Sequence, residues 1–434
     1  MPVTAVVGAQ WGDEGKGRTV DYLAQDADLV IRFQGGDNAG HTVVNDTGVW
    51  KLHIVPSGIF NPQVTCLVGA GTVVNFDTME EELIPLEAQG IDTSKLVVDK
   101  RAHLILPIHR QLDGAEEGAR KAGWAVGTTK RGIGPTYADK ASRQGIRVGD
   151  LLYPDRLRVR LEMLVPRKNR DLTYFGLPET TVDELMDVCL EWRSKMGHRI
   201  VDAVPLVRDA VRQDKNVLLE GQLGVMRDLD WGIYPYSTSS SPTAGGACIG
   251  AGIPPSAITD VVGVVKAFST SVGGGPFPTE LEDDLADRLR TAGPEIGHEF
   301  GATTGRPRRC GWFDGVAVSY ASWLNGFTGI SVTKLDVLDE FESLQVCSGY
   351  RVGTHDGQSE ILDYVPDTAM QEEVEPIYET LPGWQRSTSG CRNWDALPAN
   401  AQRYLQRIQE LAGAPIWYVS VGPERDQIVV VRER

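Results

Sequence analysis

Eight apolar runs, each rich in β-branched residues, recur along the whole chain: VTAVVG (3–8), DLVIRF (28–33), VTCLVG (64–69), KLVVD (95–99), NVLLEG (216–221), DVVGVVKAF (260–268), GISVTKLDV (329–337) and QIVVVRER (427–434). Several are continuous rather than alternating, which is how a strand reads when both of its faces are covered. Helix-like stretches separate them, among them MEEELIPLEAQG (79–90), VDELMDVCLEWRSKM (182–196), DAVPLVRDAVRQD (202–214) and NAQRYLQRIQELAG (400–413). Strands alternating with helices predict an α/β fold on a mainly parallel sheet, doubly wound with helices on both faces. TVVNDTGVWKLHIV (42–55) reads as a hairpin turning between Asn45 and Gly48.

A chain of 434 residues would divide into roughly three domains at about 150 residues each. No repeat, low-complexity tract or Ser/Pro-rich linker interrupts it, so residues 1–434 read as one domain with long functional loops. Lys+Arg 43 against Asp+Glu 59 leaves a net charge of −16. That balance disfavours a general nucleic-acid or anionic-membrane surface, and local basic clusters must meet any polyanionic ligand. The six cysteines (Cys66, Cys189, Cys248, Cys310, Cys347, Cys391) lack CxxC spacing, as in a cytoplasmic protein with reduced thiols. No signal-peptide pattern opens the chain and no apolar run approaches the roughly 18 residues of a membrane span. A soluble cytoplasmic protein is expected.

GAQWGDEGKGR (8–18) follows the first strand run and precedes a helix start. That order aims backbone N–H groups and a helix dipole at an anion. The Walker pattern, GxxxxGK followed by Ser or Thr, fails twice: Gln10 stands at its first glycine and Gly17 at its hydroxyl residue. An ordinary P-loop NTPase is therefore not expected. Asp13 and Glu14 are out of place in an anion cradle. They are either a solvated charged turn, or one of them is a base or Mg²⁺ ligand beside a transferring phosphate that Lys16 neutralises. FQGGDNAGHT (33–42) follows the next strand. Neighbouring strand ends place their loops side by side, which brings His41 within reach of the Asp13 loop as a proton donor or phosphoryl partner.

These two loops resemble those of adenylosuccinate synthetases. The resemblance continues in order through GTTKRGIGPTYADKASRQGIRVGDL (127–151), YPYSTSSSPTAGGA (234–247), GGGPFPTEL (273–281), GATTGRPRRCGW (301–312), TKLDVLD (333–339), EPIYETLPGW (375–384) and VSVGP (419–423). It implies a P-loop-NTPase-like, doubly wound sheet with long active-site loops. The activity it implies is the GTP-dependent joining of L-aspartate to C6 of inosine monophosphate (IMP) through a 6-phosphoryl intermediate. Asp13 becomes the base that removes the N1 proton, because a lactam oxygen is a poor nucleophile until that proton leaves.

The resemblance also implies roles for other residues. Asp13 and the Gly40 carbonyl would hold Mg²⁺, and His41 would stabilise the γ-phosphoryl group, with Lys16 the third member of the catalytic set. Glu14 stays a charge within the loop framework. Asn38, Thr129, Arg143, Leu223, Thr238 and Arg306 would bind the nucleotide substrate, and Thr303, Thr304 and Arg306 the aspartate. Gly12, Gly15, Lys16, Gly17, Arg308, Lys334, Asp336, Ser420 and Gly422 would bind GTP. A carboxylate at Asp336 can accept two N–H bonds from guanine and none from adenine. Arg143 would cross to a second copy, which implies a homodimer. Arg306, Arg308 and Arg309 would read as a solvated face by themselves, but in an acidic chain beside the Gly-flanked Thr303 and Thr304 they read as an anion clamp.

The chain also departs from the family. Where the usual segment reads EGxQGTLLDIDHGTYP, this one reads EGQLGVMRDLDWGIYP (220–235). Leu223 replaces a glutamine that bonds the purine near O6, and Gln222 would substitute only if the turn shifts by one residue. Val225, Met226, Arg227, Trp231, Ile233, Ser237 and Ser241 differ too, as does Ser271, where an arginine is usual. Two further readings follow from the departures: ligation of aspartate to a modified purine nucleotide (2-amino, deaza or C-nucleoside), and a non-catalytic nucleotide-binding protein.

Overall fold

The computed structural model describes residues 3–121, 125–301, 305–353 and 358–432. Its main sheet has ten strands: β1 (Val3–Gly8), β2 (Leu29–Arg32), β3 (Thr65–Val68), β4 (Leu96–Asp99), β5 (Ile200–Val201), β6 (Val217–Gly224), β7 (Ile258–Lys266), β8 (Gly329–Thr333), β9 (Ile416–Ser420) and β10 (Ile428–Val430). Their order across the sheet is β10-β9-β8-β7-β1-β6-β2-β3-β4-β5. Every neighbouring pair is parallel except β9 and β10. The α/β reading from the alternating runs therefore holds.

The continuous apolar runs have the expected cause. In β1, Val3, Ala5 and Val7 pack into one core and Val6 into another, and all are buried. Successive side chains of a strand point to opposite faces, so a strand with helices on both sides has no polar face to alternate with. The segments read as helices fold as Phe76–Ala88, Val182–Met196, Ala203–Arg212 and Ala399–Ala412. The first begins earlier than its apolar period, because Asn75 Oδ1 caps it by accepting the N–H groups of Asp77 and Thr78.

Two runs are shorter as strands than as sequence. The run at 329–337 leaves the sheet at Thr333, where Lys334 takes φ +58° and Leu335–Leu338 form a short 3₁₀ turn. The last run contributes only the antiparallel edge strand β10. Residues 41–52 form the expected hairpin, His41–Asn45 paired with Gly48–Leu52. Among the described residues no helix is long and apolar enough to cross a membrane.

The C-terminal ends of β1, β2, β6, β7, β8 and β9 lie on one edge of the sheet, since these strands are parallel. Ligands of open α/β sheets bind outside that edge, where the strand order reverses. Here the reversal falls beside β1, which has β6 on one flank and β7 on the other.

Candidate active site

The loop after β1 answers why a phosphate-like cradle holds two acids. Glu14 does not face solvent; it is fully buried. Its Oε1 accepts the N–H groups of Gln10 (3.0 Å) and Gly12 (2.9 Å), and its Oε2 lies 2.5 Å from Lys16 Nζ. Glu14 is thus the internal strut of the loop, and the solvated-turn reading fails for it. Gly8 makes room for the strut, since a Cβ there would lie 2.5 Å from Glu14 Oε2. The Gly12 N–H is spent on Glu14, and Gly12 lines neither cavity described below. Its backbone sits at φ +103°, where side chains are strained.

Asp13, at φ +58°, turns the other way. It stands where two cavities meet, one of about 460 Å³ and one of about 530 Å³. Both are lined by Asp13, Asn38, Gly40, Leu223, Gly301 and Arg308. The first also has Thr129, Thr238, Ser237, Arg227 and Arg306. The second has Gly15, Lys16, Gly17, His41, Lys334, Asp336, Ser420 and Gly422. Thr129, Thr238 and Arg306 thus line only the first space and Gly15, Lys16, Gly17, Lys334, Asp336, Ser420 and Gly422 only the second, while Asn38, Leu223 and Arg308 line both beside Asp13.

Burial would raise the Asp13 pKa, but Arg308, Lys266 and Lys16 outweigh it and hold the carboxyl below 3.8. Arg308 Nε lies 2.8 Å from Asp13 Oδ2 without the alignment of a hydrogen bond. Behind it sits a cluster that the sequence did not reveal. Glu299 is buried and receives Lys266 Nζ at 3.0 Å, Arg308 Nη1 at 2.6 Å and Lys334 Nζ. Burial alone would raise the Glu299 pKa, yet these cations hold it well below 4.5. Burial brings Lys266 down to about 8. A lysine at the end of the otherwise apolar run of β7 was the one available signal, because a buried ammonium needs a partner.

Gly17 stands where a Walker loop has its hydroxyl because His41 packs against it: a Cβ there would lie 2.7 Å from His41 Cβ. His41 Nδ1 is 2.7 Å from Glu220 Oε1, and Ser57 donates to the same carboxylate through its N–H (2.9 Å) and its hydroxyl (2.7 Å). Burial lowers the His41 pKa in spite of Glu220. His41 is therefore neutral in the free site, with its proton on Nδ1 facing the carboxylate. Glu220 follows the apolar run NVLL inside β6, and a charge within such a strand could have been singled out.

Leu223 lines both cavities at φ +59°. The turn does not shift to bring Gln222 in. Gln222 is fully buried, accepting from Arg32 and donating to Asn38 Oδ1 at 2.6 Å, and it lines neither cavity. Its contribution is to hold Asn38. Of the other departures, only Arg227 and Ser237 line the first cavity. Val225, Met226 and Ile233 are core residues, and Trp231 is exposed.

Asp336 lies in the second cavity with Lys334, Ser420 and Gly422. Burial is the main reason its carboxyl is pushed up to about 6. Arg306 joins the first cavity, whereas Arg309 does not join the clamp: its guanidinium pairs with Glu280. Thr303 and Thr304 lie outside the described residues. The loop carrying Thr129 is held by two residues that the sequence reading missed. Glu117 Oε1 accepts Gly127 N–H at 2.6 Å, and Asp113 accepts from Thr128 Oγ1 at 2.9 Å and Gly132 N–H at 2.8 Å. Arg143 is exposed and lines neither cavity.

Among the described residues no three His, Cys, Asp or Glu side chains are grouped to hold a metal ion. One carboxylate beside a phosphate-sized space is the donor set that Mg²⁺ uses, with substrate phosphates and water completing its shell. Asp13 and Gly40, both lining the two cavities, fit that requirement.

Comparison with known proteins follows the same lines. A family model, adenylosuccinate synthetase, matches residues 5–429. Adenylosuccinate synthetase 1 of Methanosarcina acetivorans is 48% identical over 99% of this chain and 100% of its own length. The adenylosuccinate synthetase of Heliobacterium modesticaldum is 48% identical, with 100% of both chains covered. Among solved structures, the fully ligated adenylosuccinate synthetase of Plasmodium falciparum superposes with TM-score 0.91 at 36% identity, covering 100% of both chains. The succinoaminodeoxyadenylate synthetase of cyanophage S-2L, bound to dGMP and dATP, gives TM-score 0.61 at 20% identity over 100% of this chain and 96% of that one, a likeness of fold alone.

Proposed function

The chain belongs to the adenylosuccinate synthetase family, and on that premise we propose how its residues join L-aspartate to C6 of IMP at the expense of GTP. The observation that carries the reading is the meeting of the two cavities over Asp13. IMP occupies the first and GTP the second. Asp13 takes the N1 proton of the base, and the electron pair moves onto O6, which attacks the γ-phosphorus as GDP departs. The aspartate amine then attacks C6, and the C6–O6 bond breaks to release phosphate and leave the new C–N bond.

Asp13 can act as a base because its neighbouring cations keep it ionised. Lys16 and the N–H groups at the start of the helix Lys16–Leu23 face the phosphates. The neutral His41, fixed by Glu220, takes a second proton from solvent as GTP brings its negative charge, and then donates to the phosphoryl group. Mg²⁺, held by Asp13 and Gly40, neutralises phosphate charge when bound. Asp336 reads guanine, Lys334 packs along the base, and Ser420 and Gly422 close that end.

Arg306, with Thr303 and Thr304, takes the aspartate carboxylates. Asn38, Thr129 and Thr238 hold the nucleotide. The exposed Arg143, outside the cavities of its own chain, reaches the nucleotide of a second copy in a homodimer. Free thiols at all six cysteines accord with a cytoplasmic setting.

Relatives of near-half identity over the whole length carry one name, so neither the modified-purine reading nor the non-catalytic reading is retained. The test is a steady-state assay with GTP, Mg²⁺ and L-aspartate, offering IMP, dIMP, GMP and dGMP in parallel. IMP is expected to yield GDP and the succinylated product in equal amounts. Silence with IMP while GMP or dGMP reacts would overturn the assignment.

A further inference from the structure

Four acceptors on two different loops converge at one end of the first cavity. They are the carbonyls of Tyr236, Val272 and Gly274 and the hydroxyl of Ser271. Such a ring of oxygens needs a cation with several donors, and the guanidinium of Arg227 fills it. Nη1 donates to Tyr236 and, at 3.0 Å, to Gly274; Nη2 donates to Val272 and, at 2.7 Å, to Ser271 Oγ. Arg227 is 5% exposed, so a partner lost here would leave buried acceptors unpaired.

The backbone of the same residue extends the tie, since its carbonyl accepts the N–H of Thr238 at 2.8 Å. Gly274 N–H in turn donates to Val126 O at 3.2 Å, next to the loop that carries Thr129. One residue thus links three walls of the cavity. The two positions where the chain exchanges residues with its family, Leu to Arg at 227 and Arg to Ser at 271, are in direct contact. The guanidinium of Arg227, on the short 3₁₀ turn Val225–Arg227, meets Ser271 at the end of the strand Ser269–Ser271.

We infer that Arg227 is a positioning residue for the nucleotide substrate, clamping loop 234–239 to loop 271–275 in the place of an arginine at 271. This rests on reading the first cavity as the IMP site. Turnover of IMP by the unaltered protein tests that reading first and separately. Given turnover, Arg227→Leu is expected to raise KM for IMP about ten- to a hundredfold, the cost of buried acceptors left unpaired.

KM for GTP should stay within about twofold, because only uniform binding of the nucleotide is weakened. The double variant Arg227→Leu/Ser271→Arg should return KM for IMP to within about threefold of the unaltered protein, a coupling that independent sites do not give. The inference is overturned by an unchanged KM for IMP, by IMP and GTP constants that rise together, or by a double variant no better than the single. Should thermal unfolding show the leucine variant misfolded, Arg227→Lys decides. A point charge cannot serve both loops, so KM for IMP must rise severalfold, and an unchanged value overturns the clamp.

Discussion

Nε of Arg308 lies 2.8 Å from Oδ2 of Asp13, while Nη1 of the same guanidinium is anchored on Glu299 at 2.6 Å. The proposed base is thus held ionised by a cation whose own position is fixed from behind. With a lowered pKa, Asp13 is ready to accept a proton across the neutral range, and protonation shuts it off only in acid.

Replacing Arg308 by Met removes that charge and leaves burial unopposed by it. The acid limb of the kcat/KM profile for IMP is expected to move to higher pH. Asp13→Asn should lower kcat by about 10²–10⁴. An unmoved acid limb in Arg308→Met would sink this account of the base.

Glu220→Gln tests the partner of His41. A neutral amide no longer steadies the second proton that the imidazole takes up, so kcat should fall about ten- to a hundredfold with KM for GTP within about twofold. A rise in KM alone would mean that the pair is only packing.

Asp336 supplies a pH dependence with a definite sign. Its carboxyl is pushed up to about 6, and only the ionised form accepts two guanine N–H bonds. KM for GTP should be flat above about pH 7 and rise as pH falls through 6, approaching tenfold per unit. Asp336→Asn should raise it about ten- to a hundredfold and abolish that slope.

Glu299 collects three cations in a buried site. Glu299→Gln leaves them facing one another and should cost about 3–5 kcal/mol of unfolding free energy, read by urea denaturation at pH 7. The folded pKa lies well below 4.5. Stability from ionisation is therefore fully present above about pH 4.5 and is lost as pH falls toward the folded value.

The sheet was legible because both faces of its strands are covered, which leaves unbroken apolar runs in the sequence. The hairpin at 41–52 was legible for a different reason, a turn flanked by β-branched residues. Lys16 and His41 could be placed near one another because their glycine-rich loops follow neighbouring parallel strands, and both line the second cavity, whereas Asp336 and Ser420 were expected only from the resemblance. Glu299 was not, since its importance comes from three cations distant in sequence. Glu117 and Asp113 look like the solvated face of a helix until the loop at 126–132 is folded onto them. The buried, strut-like role of Glu14 is not legible in the sequence, because a short acidic turn carries no mark of the N–H groups that close around it.

The contact between Gly17 and His41 bears on the routes by which such a loop can change over generations. A serine or threonine at 17, one of the two substitutions that separate the loop from the Walker sequence, would bring a Cβ to 2.7 Å from His41 Cβ. The histidine would have to be displaced first, and with it the hold of Glu220. Drift toward a hydroxyl-bearing nucleotide switch therefore passes through forms in which the His41–Glu220 pair is already displaced and no working hydroxyl is yet in place. That valley keeps the two kinds of loop apart, however close their sequences lie.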